Sequence, residues 1–173
     1  MADDEIHGRG VVLAPLRGSD AGELAGLLDD ALVRDALAVD DVDGLRRRFV
    51  AWESRRSPDG EEAWLNWVVR HRADRRALGW VQATVRGTAA SVAYALLPAE
   101  RGAGAASDAI RALTAWLRAT LDIGEVTASI AQENAASARV AHAAGFAPTA
   151  RRREAGEVVW IQHLGLLTAP RRR

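Results

Sequence analysis

The stretch Tyr94-Ala95-Leu96-Leu97-Pro98-Ala99-Glu100-Arg101-Gly102-Ala103-Gly104-Ala105-Ala106 decides how this chain folds. Residues 91–97 form a short valine-, alanine- and leucine-rich run that reads as a strand, and Pro98 ends it because proline cannot donate to a ladder. Behind the turn, Ala106, Ile110, Leu113 and Leu117 recur at helical spacing. The join is therefore strand, small-residue turn, helix N-terminus. Gly102, Ala103, Gly104, Ala105 and Ala106 leave backbone N–H groups uncovered, and the first helical turn adds unpaired donors at the positive end of the dipole. Such a turn can hold a pyrophosphate, with Arg101 as a charge-assisted donor beside it. It can also simply reverse the chain.

Working outward, residues 11–16 read as a strand, closed by Arg17-Gly18 and a helix start at Ser19-Asp20. Leu24, Leu27, Leu28 and Leu32 then recur at helical spacing. A second helix follows Asp43, with Leu45, Phe49 and Trp52 on one face, and Ser57-Pro58-Asp59-Gly60 is turn chemistry that ends it. Residues 64–70, 78–86 and 91–97 are short runs with brief separators, which predicts an antiparallel meander. Past the long helix come a strand at 126–131, a short helix at about 134–144 with Gly145 suited to its C-terminal left-handed position, and strands at 146–152 and 157–166. The order β-α-α-β-β-β-α-β-α-β-β predicts a single α/β domain: a mixed, mostly antiparallel sheet with helices on both faces. Only the strands before and after the long helix need pair in parallel.

Composition narrows the chemistry. The chain has 173 residues, enough for one compact domain, and its 23 basic and 23 acidic residues cancel. No overall field steers it toward nucleic acid or an anionic membrane. All basic residues are arginine, so a phosphate-loop lysine, a Schiff base and a lysine general base are excluded. There is no cysteine, which removes disulfides, thiolate nucleophiles and cysteine-ligated metals. His7, His71, His142 and His163 lie too far apart in sequence to suggest a metal site. The opening MADDEIHGRG lacks a signal-peptide layout, and no apolar run approaches the roughly 18 residues of a membrane span, so a cytoplasmic location is expected. Two phosphate-binding fingerprints fail: from Gly102 the sixth place of G-x-G-x-x-G is Ser107, and a Walker loop needs lysine.

What remains is R-x-x-G-x-A, filled by Arg101, Gly104 and Ala106. Some 30 residues on comes N-x-x-S-x-x-V-x-x-x-x-G-F, filled by Asn134, Ser137, Val140, Gly145 and Phe146. With the opening Val12-Leu13-Ala14-Pro15-Leu16-Arg17-Gly18-Ser19-Asp20, the chain resembles the GNAT superfamily of N-acetyltransferases. Within it, the chain is similar to the group typified by ribosomal-protein N-terminal (alanine/serine) acetyltransferases. The resemblance spans residues 9–167, leaving tails at 1–8 and 168–173.

The resemblance implies acetyl-CoA as co-substrate and direct transfer of its acetyl group to a primary amine, on a small molecule or a protein N-terminus. It implies that backbone amides from Arg101 through Gly102, Ala103, Gly104, Ala105 and Ala106 cradle the pyrophosphate. The pantetheine arm would run along Tyr94, Ala95, Leu96 and Leu97, with the Leu96 amide holding the oxyanion. Asn134 would hydrogen-bond the arm and Ser137 would sit near the sulfur. The family's usual acidic tyrosine falls here at Ala141, so Ser137, or water held by it, is the acid candidate. No base stands out: Ser91 occupies the place of the family's frequent glutamate, and His71 or Glu133 are weaker candidates. Trp64, Trp67 or Trp80 with Gln82 are candidates to line an acceptor pocket shaped by residues 29–60, and the arginine clusters read as solvated faces. A homodimer through the last strands is expected to be feasible. The alternative is an acyl-CoA-binding protein with little turnover, acting as a sensor or partner-binding module.

Overall fold

The computed structural model describes residues 5–153 and 156–165. Eight strands form one sheet: β1 (Ile6–His7), β2 (Val11–Pro15), β3 (Ala63–His71), β4 (Ala77–Arg86), β5 (Ala89–Leu96), β6 (Glu125–Ile130), β7 (Ala147–Arg152) and β8 (Val158–His163). Their spatial order is β1-β2-β3-β4-β5-β6-β8-β7, and every neighbouring pair is antiparallel except β5 and β6. The helices are α1 (Ala31–Leu37), α2 (Val42–Trp52), α3 (Ala105–Leu121) and α4 (Ala135–Ala143). The expected meander is β3-β4-β5, and the one parallel pairing brackets α3 as the element order requires. β1 was not read from the sequence, because two residues carry no period.

The sheet separates two cores, as alternation along its strands dictates. Trp67, Val69, Val81 and Ala83 face α3, where Ile110, Leu113 and Leu117 cover them together with Phe146 beyond α4. Val68 and Trp80 face the other way, toward Leu24, Leu27, Leu45, Phe49 and Trp52. Trp64 and Trp67, three apart, accordingly fall on opposite faces.

The first helical region differs from its expected form. The run after Ser19 is not one helix but two 3₁₀ turns, Gly18–Ala21 and Ala25–Asp29, followed by α1. Gly22 and Gly26 interrupt the run with the poorest non-proline helix formers. Asp30 then restarts it, its carboxylate accepting the Leu32 amide at 3.0 Å as an N-cap. Leu32 is consequently 74% exposed instead of completing the leucine stripe. The final strand ends at His163, and Leu166 lies outside the described residues.

One buried acid ties the start of α3 to the amino-terminal hairpin. The Asp108 carboxylate accepts the amides of Arg9 (3.2 Å), Gly10 (2.7 Å) and Val11 (3.2 Å). Among the described residues no backbone carbonyl serves these donors in its place, so removing the acceptor leaves them unpaired. Asp108→Ala is expected to lower unfolding free energy by about 3 kcal/mol, measured by urea denaturation. A loss under about 0.5 kcal/mol would mean water replaces the carboxylate.

Candidate active site

β5 and β6 pair only at Ala89↔Glu125, Ala90↔Val126 and Ser91↔Thr127. Beyond that point the two strands part, while β5 keeps its register with β4 to the end, Leu96 opposite Gly79. A cleft with one unpaired strand edge results. Which residues face it follows from antiparallel alternation. The Leu97 amide donates to the Leu78 carbonyl at 2.9 Å, so Leu97, Ala95 and Ala93 point their backbone groups at β4. Val92, Tyr94 and Leu96 point theirs into the cleft. The four residues expected to line a pantetheine arm thus divide. Tyr94 and Leu96 offer backbone groups to the open edge, whereas those of Ala95 and Leu97 are used within the sheet.

At Leu96 the approach of β4 is unusually close. A Cβ on Gly79 would lie 2.2 Å from the Ala95 carbonyl oxygen and 2.7 Å from the Leu96 Cα. The glycine therefore permits the strand spacing that sets the Leu96 peptide. A bulge in β4 at the same end, between the Val69↔Gly79 and Arg70↔Ala77 pairs, re-aims the strand there.

The chain leaves β5 through a 3₁₀ turn, Pro98–Glu100, and enters α3 through Gly102 (φ 87°) and Gly104 (φ 81°). These left-handed conformations favour glycine. Gly104 is the N-cap and has no side-chain cap. The first amide of α3 to find an acceptor is Asp108, on the Gly104 carbonyl at 3.1 Å. The amides of residues 102–107 remain as donors at the positive end of a 17-residue helix.

The Arg101 side chain, expected beside the phosphates, is engaged within the chain. Its Nε donates to the Leu96 carbonyl at 3.2 Å and its guanidinium pairs with Asp30 at 2.8 Å, while its amide donates to Pro98. A fork with an acid and a carbonyl within reach satisfies its donors locally. Arg101 is thus a brace between β5, the loop and α1. A second brace joins Arg76, beside the β3–β4 turn, to Glu100 at 3.1 Å. The hydrogen bond from Arg101 holds the Asp30 carboxyl below the usual range despite partial burial. A lowered carboxylate pKa adds stability that is present at neutral pH and lost only as pH falls through that lowered value.

Across the cleft, Asn134 caps α4 by accepting the Ser137 amide at 3.0 Å. Its oxygen is engaged, and only its NH₂ group is left to meet a ligand. The Tyr94 hydroxyl crosses from β5 to the Ser137 carbonyl at 3.4 Å. Burial raises the Tyr94 phenol above the ordinary tyrosine value, so it stays protonated at neutral pH. From the sequence, Tyr94 is expected only along the pantetheine arm. A hydroxyl delivered to α4 from another strand leaves no local motif. Ala141, the family's tyrosine position, is buried in the α3-side core.

The His71 Nδ1 lies 2.9 Å from Asp74 on an exposed turn at the end of β3. Among the described residues, no group of histidines and acids is placed to hold a metal ion. No described helix is long and apolar enough to cross a membrane.

On the opposite face lies a groove of about 800 Å³, between the α1–α2 connection, α2 and the start of β3. Its walls include Trp52 and Trp64, and it falls within the residues 29–60 expected to shape an acceptor pocket. Trp52 stacks on Trp80 with centroids 5.3 Å apart and planes at 11°. Trp80 is the register partner of Ala95, so two stacked indoles separate this groove from the strand that carries Leu96. The Trp80 Nε1 is fixed by Asn66 Oδ1 at 3.0 Å. Trp67, by contrast, packs edge-on against Trp116 in the other core.

Comparison with known proteins places this geometry. Residues 11–147 match the family model for the acetyltransferase (GNAT) domain. No curated protein sequence matches the chain. Among solved structures, a protein assigned as a ribosomal-protein-serine acetyltransferase from Vibrio cholerae superposes with a TM-score of 0.74 at 17% identity, over 94% of this chain and 99% of its own. Mycobacterium smegmatis RimJ in complex with CoA-disulfide gives 0.76 at 17%, over 94% and 88%. The aminoglycoside acetyltransferase AAC(6')-Ib in complex with coenzyme A and kanamycin gives 0.72 at 15%, over 89% and 95%. At these identities the likenesses establish a shared fold, and the family match extends over most of the chain. The chain belongs to the acetyltransferase (GNAT) family.

Proposed function

We propose that the protein transfers the acetyl group of acetyl-CoA directly to a primary amine, on a small molecule or a protein N-terminus. The observation that carries this reading is the parting of β5 from β6, which leaves the Leu96 amide on an open edge leading into the donor-rich loop. The backbone groups of Tyr94 would pair with the pantetheine arm as a neighbouring strand would, leaving the Leu96 amide for the thioester. Amides of Gly102, Ala103, Gly104, Ala105 and Ala106 would hold the pyrophosphate. The Asn134 NH₂ would reach the arm from α4. Acetyl-CoA supplies an activated acyl group. The chain supplies a fixed donor at Leu96 for the charge that develops on the carbonyl oxygen. No cysteine is present to carry the acyl group in between.

Two hydroxyls serve as proton donors for the departing thiolate, those of Tyr94 and Ser137. Replacing both, as Tyr94→Phe with Ser137→Ala, is expected to lower kcat about tenfold or more, with KM for acetyl-CoA held within about twofold. Steady-state kinetics with a thiol-trapping reagent reads both constants. An unchanged kcat would assign the proton to water.

Acetyl transfer to a panel of small amines and peptide N-termini tests the function itself. Tight acetyl-CoA binding with transfer to none would support the sensor reading instead. A domain spanning residues 9–167, to whose sheet β1 also belongs, action in the cytoplasm, and a homodimer formed through the last strands complete the proposal. β7 is the outermost strand at that end of the sheet, which supports the dimer arrangement.

A further inference from the structure

The groove on the α1–α2 face is lined by charge of a particular kind. Along α2, Gly44, Arg47, Arg48 and Ala51 recur at helical spacing, so one stripe of the helix faces the cavity. The two small residues hollow the stripe and the arginines flank the hollow. Arg56 joins them from beyond α2. None of these three guanidinium groups lies within ion-pairing distance of an acid among the described residues. The neighbouring Arg46 is paired with Asp43 at 2.7 Å, and Arg101 and Arg70 are paired likewise. Two carboxylates share the lining, Asp40 and Asp41. Asp41 already accepts the Gly44 amide at 2.6 Å as the cap of α2.

Three guanidinium groups against two carboxylates, one of them engaged, leave a net positive surface beside Trp52 and Trp64. Planar guanidinium forks bind carboxylates in bidentate fashion. A polycationic amine would bring like charges together here and meet only Asp40 as an unengaged acid. Resting on the acetyltransferase reading above, we propose that the acceptor is an amine carrying carboxylate groups, bound with those carboxylates on Arg47, Arg48 and Arg56. Its source is either an acidic peptide N-terminus or a free amino acid with an acidic side chain.

The test uses the full-length protein, with initial rates at saturating acetyl-CoA. The acceptors are a peptide with aspartates and glutamates after its first residue, the same peptide with lysines there, free glutamate and aspartate, and kanamycin. The acidic peptide or the acidic amino acids should give KM values about tenfold or more below those of the lysine peptide and kanamycin, an advantage that shrinks as salt is added. In the variant Arg47→Glu/Arg48→Glu that preference should reverse, while KM for acetyl-CoA stays within about twofold. Arg46→Glu, on the same helix but outside the groove, should leave it unchanged. Arg47→Gln/Arg48→Gln provides a milder variant should the double reversal unfold the chain. Preference for the acidic peptide over the free amino acids, or the converse, decides the source.

Equal KM values across the charge series, or a loss that is the same for every acceptor in the variants, would overturn the inference and leave the transferase reading intact. Binding of the acidic peptide, followed by calorimetry in the presence of CoA, separates the two readings from the other side. Binding that requires Arg47 and Arg48, without transfer to any amine, would support the anionic site and reject the transferase reading. Neither transfer nor peptide binding would reject both.

Discussion

Gly79→Ala should reduce acetyl transfer about 100-fold or more while leaving a cooperatively folded protein. The reasoning begins with the sheet. Gly79 and Leu96 form a non-hydrogen-bonded antiparallel pair, the kind in which facing Cα atoms come closest. A single added methyl would lie 2.2 Å from the Ala95 carbonyl oxygen and 2.7 Å from the Leu96 Cα, both backbone atoms that no rotamer change can move. The strands must part at the residue whose amide faces the cleft. Overpacking of this kind costs about 1–3 kcal/mol. The larger effect is on rate, because a donor displaced by about 1 Å no longer meets the developing oxyanion. Gly87→Ala is the control. Gly87 has φ 60° and no atom within 4 Å of the added Cβ, so that variant should lose about 1–2 kcal/mol to backbone strain and keep its activity. Activity of Gly79→Ala within about threefold of the parent would remove Leu96 from its role.

Gly104→Glu should weaken acetyl-CoA binding about 100-fold, which is about 2.7 kcal/mol. Gly104 is the N-cap of α3 at φ 81°, and a Cβ there meets nothing within 4 Å. The fold therefore accommodates the side chain apart from about 1–2 kcal/mol of left-handed strain. What changes is electrostatic. A carboxylate would stand before the unpaired amides of residues 102–107 and take the place of an anionic ligand at the helix dipole. Gly104→Ala carries the same strain without the charge, and should weaken binding less than about tenfold. If both variants bound acetyl-CoA equally, the loop would contribute backbone shape alone.

The architecture was readable in advance wherever a period was long or a breaker strong. The three meander strands, Pro98 at the end of β5, the leucine and isoleucine stripe of α3, and Gly145 after α4 each carried a local signal that the structure repeats. The region from Ser19 to Leu37 did not, because leucine spacing alone cannot register that Gly22 and Gly26 break an α-helix into 3₁₀ turns. At the site, the sequence indicated which segments come together but not which atoms face the cleft. That depends on sheet register: the Leu97–Leu78 hydrogen bond turns Tyr94 and Leu96 outward and Ala95 and Leu97 inward. Arg101 stands in a motif that suggested phosphate contact, yet the nearby Asp30 and the Leu96 carbonyl claim its guanidinium. Neither partner is visible from the motif. The Tyr94 hydroxyl reaching Ser137, 43 residues away, is a tertiary event of the same kind.

Titrating the purified protein with acetyl-CoA in a calorimeter, with NAD as control, tests most directly whether the parting of β5 and β6 with its loop forms the acyl-donor site. Saturable binding of acetyl-CoA near micromolar Kd is expected, about −8 kcal/mol, together with no heat from NAD and loss of the signal in Gly104→Glu. Absence of binding up to about millimolar acetyl-CoA would contradict the assignment of the cleft and its loop.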